Sequence, residues 1–320
     1  MGKGFASAAV VGVTLLGAAC AAPRKHDTVR ALVVVTGTTA GVYHPLGEAL
    51  ARIYSARIPG IQVSAQTSTG SAFNVEAVQK GRADVAFTQG DVAYSAFRQG
   101  SSGDPRPHSD LRAIAVLYTN VAQIVVRRDS PVRNVRELRG RRVGVGPPGS
   151  NSEQTSRTVM DALGFKPGDL HAESLGFDEA ANRIVAGQLD ASFMMLSYPV
   201  PAIRAANEAA GIRLLTVDRT VVDRIRERYP FFRPTVIPRE SYAGQDGDVT
   251  TLGVDNLLVC HADLDEELVH ELTRLLIESV PDLVKAHVAA RGIDPEQAPT
   301  APIPLHAGAA RFYRERELSR

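Results

Sequence analysis

Beyond residue 28, short apolar runs alternate along most of the chain with longer stretches of helical periodicity. Runs rich in Val, Ile and Ala mark strands at Ala31 to Val35, Ile61 to Gln66, Ala83 to Thr88, Leu111 to Tyr118 and Ala122 to Arg127. Others follow at Arg142 to Val145, Leu170 to Leu175, Ala191 to Met195 and Ile212 to Val217. Helix-length segments lie between them at Val42 to Ile58, Asn74 to Lys80, Val92 to Arg98, Ser152 to Leu163, Glu179 to Ala186 and Thr220 to Tyr229. Such alternation predicts parallel sheets with helices on both faces, and a ligand at the carboxyl ends of the strands. After Pro234 the pattern changes to a proline-punctuated passage, a strand at Thr251 to Cys260, and helices at Asp265 to His287, broken at Pro281, and Ala307 to Leu318. The fold class is therefore α/β, with two doubly wound lobes joined by a hinge. One lobe is assigned to 28–118 with 236–320 and the other to 119–235, with crossings near Tyr118 to Gln123 and Arg233 to Ile237.

Three strand-to-helix turns are rich in Gly, Ser and Thr: Thr36 to Gly47, Thr67 to Ala72 and Gly144 to Ser152. A strand that runs through small residues into a helix leaves free backbone N–H groups directed at one spot, a socket for a small anion. The candidate contacts of the first lobe are Thr38, Thr39 and Tyr43 in the first turn, Ser71 and Asn74 at the second helix, and Gln89 and Asp91 after the third strand. Ser71 serves equally as a helix cap, and for Asp91 capping takes precedence over solute contact. In the second lobe, Ser150, Asn151 and Ser152 open a helix, while Phe193, Ser197 and Tyr198 end a strand. Phe193 fits either an apolar cleft wall or the core. None of Thr36 to Val42, Thr67 to Ala72 or Gly149 to Glu153 contains Arg or Lys, so a carboxylate is expected to be held by helix N-termini and hydroxyls. Arg183 is the competing cation.

The segment Met1 to Ala22 changes where this cleft would operate: one cation at Lys3, an apolar stretch from Phe5 to Leu16, then small residues. This is the layout of a secretory signal peptide, too short to stay as a membrane-spanning helix. The periplasm is the expected location. Leu15-Leu16-Gly17-Ala18-Ala19-Cys20 is similar to a lipobox with Leu16 one step early; lipidation at Cys20 and ordinary cleavage after Ala19, Ala21 or Ala22 both remain open. Cys260 is then without a partner for an internal disulfide and reads as a small buried thiol.

A formal charge of +1 spread over 320 residues leaves no basic stripe of the kind a phosphate backbone demands, so nucleic acid is not an expected partner. Gly144-Val145-Gly146-Pro147-Pro148-Gly149 fits G-x-G-x-x-G, yet Pro147 and Pro148 lack the N–H groups a pyrophosphate would use. Neither a G-x-S-x-G elbow nor an H-E-x-x-H or C-x-x-C spacing occurs, and no base accompanies Ser150 or Ser152. No enzyme activity, metal or cofactor is expected.

Six segments in order carry a family resemblance. They are Thr36 to Leu50, Gly81 to Tyr94, Gly140 to Glu153, Tyr229-Pro230-Phe231-Phe232, Ile237-Pro238 with Tyr242, and Pro304-Leu305-His306 with Gly308 to Tyr313. The chain resembles the TAXI family of solute receptors for tripartite (TRAP) transporters over essentially its whole mature length. That resemblance implies a type II periplasmic-binding-protein-like fold, a monomer that closes on its solute, and a TRAP membrane permease as partner. It also implies a small carboxylate or amino-acid ligand such as glutamate. Family members tend to carry more glycine where this chain has Thr38-Thr39-Ala40 and often glycine in place of Asn151, departures that bear on ligand identity rather than on the fold. An exported sensor presenting its solute to a membrane histidine kinase is the alternative.

Overall fold

The computed structural model describes residues 1–2, 29–39, 41–101, 103–148 and 150–319. Of the expected leader all but Met1 and Gly2 lies outside the described residues, as do Cys20, Ala40 and Gly149. The first lobe starts with β1 (Arg30–Val35), α1 (Tyr43–Arg57), β2 (Ile61–Gln66), α2 (Ser71–Gln79), β3 (Val85–Gln89) and α3 (Gly90–Gln99). The long β4 (Leu111–Arg127) leads out of it to β5 (Arg142–Gly144), α4 (Asn151–Ala162), β6 (His171–Glu173), α5 (Phe177–Val185) and β7 (Ala191–Leu196). There follow α6 (Pro201–Ala210), β8 (Ile212–Leu215), α7 (Arg219–Arg228), β9 (Phe232–Ile237) and the long β10 (Val249–His261). Three helices close the described chain: α8 (Glu266–Glu278), α9 (Val280–Ala286) and α10 (Ala307–Leu318).

The strands hydrogen-bond in the order β2-β1-β3-β10-β4-β7-β5-β6, with β8 on β4 and β9 on β10. β1 pairs in parallel with β2 and β3, and β5 with β6 and β7, giving each lobe the parallel core that strand–helix alternation predicts. β4 and β10 are antiparallel to each other and pass through both lobes. The first half of β4 packs Ile114 and Leu117 with α1 and α8, whereas Ala122, Ile124 and Val126 of its second half belong to the core around α4 and α7. Thr119 and Asn120, polar and only half-buried, mark the crossing. They separate two expected strands that the structure joins into one, because Thr119 and Asn120 still pair with Asp255 and Val254.

The return crossing differs from the expected one. Ile237, Tyr242 and Val249 pack with Val121 and Val125, and Leu252 and Val254 with Phe193 and Ile124, so 236–254 lies on the second core. From Leu257 onward β10 packs with the cores around α1, α2 and α8, so the change of core falls at Asp255 and Asn256. β9 escapes the periodicity because Pro234 interrupts its run; pairing only with β10, it is an edge strand, where a missing N–H is tolerated. The break expected at Pro281 falls just before it, at Ser279 between α8 and α9, and Pro281 sits in the first turn of α9, where its fixed φ is accommodated. Cys260, within β10, is fully buried, and burial pushes its thiol pKa up, in keeping with a packing role.

Candidate functional site

The carboxyl ends of β1, β2 and β3 meet in one polar network, built largely from the residues that follow them. Gly47 lets α1 lie close on β1: a Cβ there would collide with Thr36 Cγ2. Thr36 in turn donates its hydroxyl to the Gln66 carbonyl at 2.9 Å, linking the ends of β1 and β2. Asn74 sits fully buried at the centre, donating from Nδ2 to the carbonyls of Thr36 (2.5 Å) and Phe87 (2.6 Å) and accepting from Ser68 Oγ (2.6 Å). Its polar capacity is thus spent holding three strand ends in register. Ser71 accepts from the Gln89 N–H at 3.0 Å, tying the first turn of α2 to the end of β3 instead of capping its own helix.

Tyr43, the first residue of α1, stacks on Phe87 with ring centroids 5.2 Å apart and donates its hydroxyl to Asn256 Oδ1 at 2.5 Å. Asn256 Nδ2 donates to the Tyr118 carbonyl at 3.1 Å, so α1 is fastened to both crossing strands. Burial raises the Tyr43 phenol above the ordinary tyrosine range, with the Ser71 hydrogen bond acting against it and the nearby Asp91 adding to it. Two groups of this cluster remain without partners: Gln89 Nε2, in a residue only 2% exposed, and Asp91 Oδ1, in one only 5% exposed. Burial pushes the Asp91 carboxyl up to about 6, against the opposing pull of first-turn N–H groups of α3. Thr38 and Thr39 are exposed at the mouth, where the Thr38 carbonyl accepts from Gly41 N–H at 3.0 Å and closes the bend.

The second lobe repeats the device less completely. Gly146 takes φ +98°, a left-handed conformation open to glycine, and turns the end of β5 toward α4. Ser150 caps α4 by accepting from Glu153 N–H at 3.2 Å, and Asn151 is its half-buried first residue. Ser152 is 1% exposed and accepts from Met195 N–H at 2.9 Å, binding α4 to β7 and leaving its hydroxyl inside the lobe. Phe193 lies in the core with Ile124 and Leu215, so the open choice between wall and packing resolves to packing. Arg183 is held by Glu173 (2.7 Å) and Glu179 (2.6 Å) within its own lobe.

Among the described residues, cavities lie where the two cores meet. One, of 230 Å³, is lined by Ala72, Asp91, Val92 and Ser95 of the first lobe and Gln154 of α4. Nearby, Tyr94 of α3 meets Phe231 across the divide with centroids 5.7 Å apart. The other, of 690 Å³, lies at the crossing and includes Thr119, Ser197, Tyr198, Arg233 and Arg291. Ser197 and Tyr198 are the predicted contacts that line it, and they do not line the cavity that Asp91 lines. Beside it Asp255 accepts from Thr119 Oγ (2.6 Å) and from Arg233 (3.0 Å), a clamp on the crossing strands. Asn256, Asp255 and Gln154 escaped the sequence reading. For the first two a signal exists, since Asp255-Asn256 interrupts an otherwise apolar strand.

The architecture is similar to that of solved binding proteins. The periplasmic aliphatic sulphonate binding protein SsuA from Escherichia coli matches with a TM-score of 0.50 at 18% identity, over 89% of this chain and 82% of that one. A TctC solute binding protein from Polaromonas matches with a TM-score of 0.52 at 18% identity, over 90% and 96%. The probable amino-acid ABC transporter extracellular-binding protein ytmK from Bacillus subtilis gives 0.50 at 14% identity, over 82% and 98%. These likenesses establish the periplasmic-binding-protein-like fold. Residues 34–316 match the NMT1-like family, and the chain belongs to that family.

Proposed function

We propose that this protein is an exported solute receptor that captures a small carboxylate or amino acid, such as glutamate, between its lobes and delivers it to a membrane permease of the TRAP type. The resemblance of six ordered segments to TAXI receptors supports the transporter type, and the similarity of fold to SsuA, TctC and ytmK supports solute binding. The observation that carries the reading is the convergence of strand ends and helix starts on Tyr43, Ser71, Gln89 and Asp91, where Gln89 Nε2 is buried with no protein partner. A buried donor left unsatisfied costs about 1–3 kcal/mol, so its persistence suits a site completed by a ligand. Asn74, Ser152 and the Asp255–Arg233 clamp position the cleft, and Ser150 with Asn151 presents the start of α4 to it. The lobes are taken to divide within β4 near Thr119 and within β10 near Asp255. The leader directs the chain to the periplasm, with Cys20 as a lipid anchor if the lipoprotein peptidase acts. The test is native mass spectrometry of the purified protein, followed by denaturation and identification of any released solute. A small carboxylate or amino acid released in stoichiometric amount, and re-bound in calorimetry, supports the reading. Absence of any such solute, with no heat from a panel of carboxylates and amino acids, tells against it.

A further inference from the structure

Asp91 differs from the other buried carboxylates of the described chain in what faces it. Asp104 is paired with Arg106 at 2.8 Å, and Asp255 with Arg233 at 3.0 Å. Asp91 is 5% exposed, yet its Oδ1 has no hydrogen-bond partner, and no arginine, lysine or histidine contributes to its electrostatic surroundings. A desolvated carboxylate without a counter-charge is costly, which is why such groups are ordinarily paired. The residue lines the 230 Å³ cavity between the lobes, whose other walls include no cation. Two positions back, Gln89 offers an unpartnered amide nitrogen. At the cavity itself, therefore, Asp91 Oδ1 is an open acceptor, with Ala72 in the first turn of α2 and Gln154 in the first turn of α4 on the same walls.

We propose that Asp91 is the subsite for a protonated amine of the solute, so that the ligand class is a small anion that also carries an ammonium group, in preference to an amine-free carboxylate. The inference rests on the solute-receptor reading above. The ammonium supplies the counter-charge that the protein withholds from Asp91, while the helix N-termini at the cavity serve the acidic end. Tyr43 does not substitute for it: a phenol that keeps its proton for Asn256 carries no charge to balance an ammonium. The raised pKa of Asp91, about 6 without ligand, has the same origin: burial without a cation.

Matched probes test this by titration calorimetry at pH 7.5: L-glutamate against glutarate, L-leucine against 4-methylpentanoate, and taurine against ethanesulfonate. The wild-type protein is expected to bind the amine-bearing member of at least one pair about tenfold or more tightly. In Asp91→Asn that preference should collapse, the amine-bearing probe weakening about tenfold or more and the amine-free one holding or improving. The wild-type comparison needs no variant and so stands even if Asp91→Asn does not fold. Amine-free probes bound as tightly as their partners would overturn the subsite while leaving the receptor reading intact. The subsite also falls if Asp91→Asn keeps the full preference. Binding of neither class overturns both the receptor reading and the subsite built on it.

Discussion

Replacing Asp91 by Asn should stabilise the ligand-free protein, and the gain should depend on pH in a calculable way. The carboxyl is raised from 3.8 to about 6 by burial in the folded state. A raised acid binds its proton more readily folded than unfolded, so ionisation opposes folding. This cost is absent below pH 3.8, grows as pH rises through the interval, and is complete above about 6. At 1.36 kcal/mol per pKa unit, the difference corresponds to about 3 kcal/mol. Asparagine keeps the shape and cannot ionise, so its advantage over wild type should run from near zero at pH 3.5 to about 3 kcal/mol at pH 7. Urea unfolding of both proteins, freed of solute and followed by circular dichroism at pH 3.5, 5 and 7, measures it. The shared strands β4 and β10 favour one cooperative transition across both lobes, the condition for a two-state free energy. An advantage that does not change between pH 3.5 and 7, or an asparagine variant less stable at pH 7, would refute the reasoning.

Ser152→Ala should destabilise the fold by about 1–3 kcal/mol, because Met195 N–H is left buried without its acceptor, and thermal melting reads this directly. Gly47→Ala should cost about 1–3 kcal/mol, since the added methyl meets Thr36 Cγ2 at the helix–strand contact; a melting temperature equal to wild type would contradict that packing. Arg183→Ala should leave solute affinity within about twofold, its guanidinium being engaged by Glu173 and Glu179, while loss of binding in calorimetry would make it the anion clamp after all.

Much of this architecture was legible because local pattern and tertiary role agree. Ile61–Gln66 and Ala307–Leu318 fall where the periodicity puts them: Val63, flanked by half-buried Ile61 and Ala65, packs one face of β2, and Ala309, Phe312 and Tyr313 pack one face of α10. The joined strand β4 was not legible: its polar residues Thr119 and Asn120 read as a loop, and only pairing with the distant β10 keeps them extended. β9 was hidden by Pro234 for the same reason, that an edge position far along the chain decides what proline permits. At the candidate site, residue type pointed to turns that the structure brings together at the ends of β1, β2 and β3, but could not separate contact from support. Asn74 and Ser152 look like ligand groups in sequence, yet their hydrogen bonds are consumed by strand ends. Gln89 and Asp91 look no different, and only their unpartnered atoms in three dimensions set them apart.

The central claim, that two lobes close on a solute, is tested most directly by small-angle X-ray scattering of the solute-free protein with and without a saturating amount of the identified ligand. Because the lobes are linked chiefly through β4 and β10, hinged closure is available to this fold. The account predicts a smaller radius of gyration on saturation, and an unchanged radius at calorimetrically proven saturation would contradict it.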